Sequence, residues 1–292
     1  MVNCFKVEQA MFKHLRVVPL AAESLGVRSM CTFVETPDLR ILLDAGVSLC
    51  PNRFGLPPHP LEFKAIIECR RRIAEAAEKA DVVTLSHYHF DHHTPSYEDW
   101  LCNWTAEDET AKQIYEGKVV LIKNSKEWIN FSQRRRGWVL MATIEFKGEK
   151  FLFAPDVQGP ISAGTLKKIV AEKPQLVMVG GPPSYLAGFR VNEEEFLSGM
   201  ANLERLVEAV PHTILEHHLL RDENWREKTS KVFEKAGKIG HKVLTAAEFL
   251  GLENAFLEAV RRRLFTEKPP SKEFEKWMKI GVNKRKKVKP PI

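Results

Sequence analysis

Along this chain of 292 residues the spacing of apolar positions switches repeatedly between strand and helix periods. In the first half SMCTFVET, LRILLDAG, DVVTLSH and KVVLIKN read as strands, and WVLMATIEFKGEKFLFAPD reads as a hairpin turning at KGEK. Between them LEFKAIIECRRRIAEAAEKA has helical propensity and aligns Leu61, Ile66, Ile67, Ile73 and Ala77 on one stripe. The second half alternates more evenly. QLVMVGG, TILEHH and KVLT read as strands, and ENWREKTSKVFEKAGK and AAEFLGLENAFLEAVRRRL as helices. NEEEFLSGMANLERLVEAV is a further helix, opened by Asn192 with Glu195 three residues on and striped by Phe196, Met200, Leu203, Val207 and Val210. The mixture predicts one α/β or α+β layered domain over residues 1–260, without an internal linker or repeat.

Composition narrows this picture. Hydrophobic residues make up 44% and charged residues 28%, enough of each for a sizeable core inside a charged surface. No apolar run reaches the roughly 18 residues of a membrane span, and MVNCFKVEQAMFKHLRVV interrupts its apolar stretches with charges and amides. The expected location is cytoplasmic, with no membrane contact. Five cysteines without a C-x-x-C pair fit a reducing compartment. Residues 261–292 hold 12 Lys and Arg against 3 Glu, a net +9, so residues 1–260 carry −3 of the total +6. This basic C-terminal tail reads as a solvated, partly disordered terminus, or as an electrostatic foot for nucleic acid.

The chemistry concentrates in SHYHFDHH, Ser86 to His93, which holds four of the ten histidines. It follows an apolar strand, so its side chains emerge at a sheet edge. His87 and His89, two apart, point the same way in extended backbone, while Asp91 and His92 follow where the chain turns. A zinc-like ion needs several imidazoles and a carboxylate converging on one point. This spacing offers two imidazoles to one point and a carboxylate–imidazole pair to a second. His93 is then an extra, structural histidine.

The pattern H-x-H-x-D-H at His87, His89, Asp91 and His92, after a strand opened by aspartate, resembles the signature of the metallo-β-lactamase superfamily. Asp44 in ILLDAG, Asp156 in FLFAPD and His217 or His218 in TILEHH match the family's later elements in order, over residues of about 30–222. Within the superfamily the chain looks most like an uncharacterised, chiefly archaeal group of metal-dependent hydrolase-like proteins. The resemblance implies a four-layer αββα sandwich with two divalent metal ions, zinc foremost, at the sheet edges; a single ion, or manganese or iron, is the alternative. It implies hydrolysis of an ester or phosphoester by metal-activated water. Asp91 is then ligand and proton shuttle, Asp156 the bridging ligand, and Asp44 a support for the histidines. The family's further histidine is missing, since none occurs from Thr94 to Pro211. Gln133 lies about where it should fall, and either Gln133 or a water completes that shell.

Arg134 to Arg136 adjoin this position and suit an anionic small-molecule substrate, or form a solvated turn. Ser184 and Tyr185, in the loop after QLVMV, stand within possible reach of the pocket. Arg221 and Asp222 either orient the histidine pair or cap the next helix. SYEDWLCNWTAEDET reads as a lid or as a helix packed on the core. Competing readings are a nuclease of the same fold and a metal-binding member without catalysis. A nuclease cap would follow Asp156, but residues 157–216 are used up by a helix, a strand and a helix.

Overall fold

A computed structural model describes residues 11–122, 139–189 and 191–292. Two five-stranded mixed sheets form its centre. The first runs β1 (Arg16–Pro19), β2 (Thr32–Glu35), β3 (Arg40–Leu43), β4 (Val82–Leu85) and β5 (Val119–Ile122), antiparallel up to β3 and parallel from β3 onward. In the second, β6 (Ala142–Phe146) pairs antiparallel with β7 (Glu149–Ala154). β8 (Leu176–Gly180), β9 (His212–Glu216) and β10 (Lys242–Leu244) then add in parallel. The hairpin turns where expected. Lys147 and Gly148 both have positive φ, 48° and 81°, as a two-residue loop matching the strand twist requires.

Strand alternation sorts the core into three apolar layers. Leu42 and Val83 face the outer helix α1 (Pro60–Ala77), packing with Phe63, Ile66 and Ile73. Their neighbour Leu43 turns inward with Val17 and Val34 to meet Phe151, Phe153, Met178 and Ile214 of the second sheet. That sheet's other face, Leu152, Val177 and Val179, is covered by α3 (Ala163–Glu172), α4 (Glu193–Ala209) and α6 (Ser230–Lys238). The order of packing is helix, sheet, sheet, helix.

Several elements differ from the sequence expectation. In α1 the buried stripe runs through Phe63, Ile66, Arg70 and Ile73, and Ile67 faces solvent. Its N-cap is His59, whose Nδ1 accepts from Leu61 N while Glu62 accepts from His59 N. Asn192 does cap α4, through Glu194 N. The expected helix after Asn224 divides at Thr229 into α5 (Trp225–Lys228) and α6. The expected final helix divides into α7 (Ala246–Phe249) and α8 (Arg261–Glu267), because Gly251, with φ 68°, turns the chain away. Upstream of residue 261, β1 and α2 (Glu109–Tyr115) were not foreseen. The aromatic segment before α2 is neither a helix nor a lid; Leu101 and Cys102 are buried in the first core layer with Trp104 packed on it.

The largest correction concerns residues 261–292, which are folded. After α8 come α9 (Lys272–Met278) and α10 (Val282–Arg285), and Phe274 and Trp277 are buried against Phe63. Arg261, fully buried, forms a two-pronged pair with Glu62 at 2.7 and 2.8 Å. Lys286 lies 3.8 Å from the buried Asp99, and Lys289 stacks over Trp100 at 4.1 Å. The basic segment thus caps the acidic aromatic loop of its own chain. Among the described residues no helix is long and apolar enough to cross a membrane.

Candidate metal centre

The histidine and aspartate side chains singled out from sequence leave the ends of strands in both sheets and meet between them. Asp44 follows β3, Ser86 to His92 follow β4, Asp156 follows β7, and His217 follows β9. Asp44, Asp156 and His217 all hold left-handed backbone, with φ of 48°, 49° and 72°. Non-glycine residues in that region cost energy and mark sites where side-chain direction matters. The backbones are also pressed together. A Cβ on Gly46 would lie 2.2 Å from His93 N, so only glycine lets the histidine loop seat against the loop after β3. Buried Arg70 pins the same place, donating to Val47 O, Asn103 O and Thr94 Oγ1, and Thr94 in turn donates to Ala45 O.

Two groups of donors form. His87 Nε2 lies 2.8 Å from His89 Nδ1 and 3.1 Å from Asp156 Oδ2. On the other side, His217 Nε2 lies 3.2 Å from His92 Nε2, 3.7 Å from Asp91 Oδ2 and 3.2 Å from Asp156 Oδ1. Asp156 therefore offers one oxygen to each group, as a bridging ligand must. His218 Nε2 comes within 2.8 Å of Asp156 Oδ1 and forms a further possible group with His217 and Asp156; of the two adjacent histidines, His217 is the one grouped with His92 and Asp91. His93 turns away, its Nδ1 bonding His89 O at 3.1 Å, which is the structural part expected of it.

The rings of the second group are aimed from behind. Asp44 Oδ2 lies 2.8 Å from His92 Nδ1 and is itself held by Ser86 N and Ser86 Oγ. Glu23 Oε1 lies 3.2 Å from His217 Nδ1 and accepts Nε and Nη2 of Arg221 at 2.8 and 2.6 Å. Arg221 Nη2 also reaches Asp91 Oδ2 at 3.1 Å, which makes Arg221 an orienting residue and not a helix cap. A carboxylate behind each ring holds a hydrogen on Nδ1 and turns Nε2 inward, the nitrogen a cation would take. Glu23 carried no motif in the sequence; the one signal was a lone acid inside the apolar stretch PLAAESLGV.

Electrostatics follow the same division. Burial works against ionising Asp91 and Asp156, but His92, His217 and Arg221 around the first, and His218 and His217 around the second, hold both carboxyls well below their usual range. Burial likewise opposes a charge on His217, yet Glu23 pushes it up to about 10. His92 is raised, burial being outweighed by Asp91 and Asp44. His87 is lowered by burial, and burial beside Arg221 takes His218 down to about 4.

A divalent cation fits this donor set. Asp156 Oδ1 is buried with no aligned hydrogen bond, and the Nε2 atoms of His92 and His217 face each other at 3.2 Å. Imidazole nitrogens and carboxylate oxygens are the ligands zinc takes. Tyr185 reaches the rim, its hydroxyl 3.5 Å from His218 Nδ1, whereas Ser184 is turned to Asp222 at 2.6 Å. Gln133 and Arg134 to Arg136 lie outside the described residues.

No family model and no solved structure matches the chain. It does match a series of curated proteins over nearly their full length. A UPF0282 protein of Methanopyrus kandleri is 39% identical over 87% of this chain and 100% of its own. One from Pyrobaculum calidifontis is 41% identical over 87% and 96%, and one from Methanocaldococcus jannaschii 36% identical over 86% and 96%. At this identity and coverage, the chain belongs to the UPF0282 protein family.

Proposed function

We propose that the protein is a metal-dependent hydrolase with a metallo-β-lactamase-like αββα sandwich, acting on an ester or phosphoester. The observation that carries the reading is the convergence of His87, His89 and His217 from two sheets upon the two oxygens of Asp156, with His92 and Asp91 meeting His217 beside them. Asp91, His92, Asp156 and His217 would hold one divalent cation, and His87, His89 and Asp156 a second, with zinc the best match to the donors. When bound, such ions supply Lewis acidity and make a water acidic enough to attack near neutral pH.

The chain's own groups do the remaining work. Asp44 and Glu23 hold a ring hydrogen of His92 and His217 on Nδ1, so Nε2 faces inward and a bound cation would take the place of the second proton. Arg221 holds one oxygen of Asp91 and fixes the carboxylate plane. A carboxylate held so far below its usual range is a weak base. Asp91 would therefore orient the attacking water and take its proton only in transit to the leaving-group oxygen. The nuclease reading gains nothing from the chain between Asp156 and His217, which is occupied by α3, β8 and α4.

Elemental analysis of protein purified without added metal tests the reading. Near two ions per chain, with turnover of an ester or phosphodiester that chelation removes and zinc restores, is the expected result. Less than one ion after zinc loading defeats it. Two ions with no turnover of either class replaces it by a non-catalytic metal-binding role.

A further inference from the structure

TILEHH presents two adjacent histidines at one strand end, and their surroundings give them opposite chemistry. Nearest behind His217 stands a carboxylate, Glu23, with Oε1 3.2 Å from Nδ1, and Arg221 Nη2 lies 3.3 Å from the same nitrogen. Behind His218 stands a guanidinium, with Arg221 Nη1 at 2.9 Å from Nδ1. A guanidinium has only N–H donors and does not lose them in proteins. His218 Nδ1 must therefore accept, and the ring hydrogen of the neutral imidazole must sit on Nε2, the nitrogen that points toward Asp156.

Arg221 cannot turn aside to relieve this. Its Nε and Nη2 are both committed to Glu23 in a buried fork, and its backbone carbonyl accepts from Arg53 Nη2 at 3.1 Å. The Tyr185 hydroxyl closes the same side, 3.5 Å from His218 Nδ1 and 3.4 Å from Arg221 Nη1. A ligand nitrogen has to offer a lone pair, and His218 Nε2 carries hydrogen instead. Binding metal there would move that hydrogen to Nδ1, donor against donor at 2.9 Å.

Resting on the metal-centre reading above, we infer that His218 is not a metal ligand but a hydrogen-bond donor to the substrate, locked in its Nε2–H form by Arg221 and Tyr185. Its Nε2 lies 2.8 Å from Asp156 Oδ1, an oxygen that takes no aligned hydrogen bond, so a cation on that oxygen would leave the hydrogen to the substrate. A neutral N–H beside a cation site suits an acceptor oxygen bearing negative charge, that is, a phosphate or carboxylate oxygen of the substrate. His218 is 18% exposed against 0% for His217, as a substrate-facing group beside a buried ligand would be. Arg221 and Tyr185 act through it as positioning residues.

Ring nitrogen NMR of histidine-labelled protein, with His218→Gln for assignment, reads the hydrogen directly. His218 is expected to keep its hydrogen on Nε2 before and after zinc is added; transfer to Nδ1 on adding zinc overturns the inference. Zinc content gives a second arm. His217→Ala should lose about one ion, whereas His218→Gln, which keeps an N–H near the same place, should hold the wild-type count; equal losses overturn the inference. In the third arm inorganic phosphate is titrated into zinc-loaded protein. His218→Ala should bind it about tenfold more weakly or worse, with partial recovery in His218→Gln; unchanged binding in His218→Ala overturns the donor role. Wild-type protein that takes up no zinc defeats the metal centre instead, and the NMR of the zinc-free protein still reports the tautomer.

Discussion

The two halves of the centre are held by different means. Around Asp91, His92 and His217 the rings are fully buried, and a buried carboxylate stands behind each Nδ1. Around His87 and His89 the setting is more open: Ser86 Oγ lies 3.0 Å from His87 Nδ1, and the His89 side chain is 50% exposed. The first half has four donors counting Asp156, the second three. Aimed, dry ligands bind without reorganisation cost, and open ones exchange readily. On the proposed reading, the buried position would retain its ion and the open one exchange it, with Asp156 common to both.

That contrast can be broken in steps. Asp156→Ala should have the largest effect, removing zinc from both positions because each loses an oxygen. Calorimetric titration that still finds two sites would mean that Asp156 does not join the halves. Glu23→Gln should act on the buried half alone, weakening one zinc site about 10–100-fold while the other keeps its affinity. Equal weakening of both sites would erase the distinction drawn here.

Glu258→Gln, one layer further out, should leave zinc binding nearly unchanged and act on stability. Glu258 is paired with Arg28 at 2.5 and 2.6 Å; burial opposes its ionisation, but Arg28 outweighs this and holds the carboxyl down at about 2, against an ordinary 4.5. A lowered acid contributes stability above its unfolded value and loses it as pH falls through the folded one. The urea-midpoint gap between wild type and Glu258→Gln should be worth about 3 kcal/mol near pH 6 and shrink from pH 4.5 down toward 2. A gap independent of pH would show that packing, not charge, is what Glu258 contributes.

How much of this was legible depends on how local each signal is. SHYHFDHH declared itself because its ligands are neighbours in sequence, and Asp44 and Asp156 because each ends an apolar strand. The choice between His217 and His218 is invisible in TILEHH, since it rests on Glu23 and Arg221, one of them nearly two hundred residues away in the chain. The tail misled for a related reason. Its +9 charge resembles a solvated terminus. Phe274 and Trp277, the residues that anchor it, form a pair too short to stand out as an amphipathic stripe. β1 escaped notice because four residues ending in proline carry little periodicity.

That anchoring sets an order of events during synthesis. The layer between α1 and the first sheet is built mostly from residues before Tyr115, yet Phe274 and Trp277 complete it and Arg261 neutralises the buried Glu62 beneath α1. On a ribosome delivering the chain from its N-terminus, the earliest segments cannot close their core until almost the last have emerged. Until residues 261–277 follow, nascent α1 must wait with Phe63 uncovered and Glu62 unpaired, and that interval is when it is most open to capture by a chaperone.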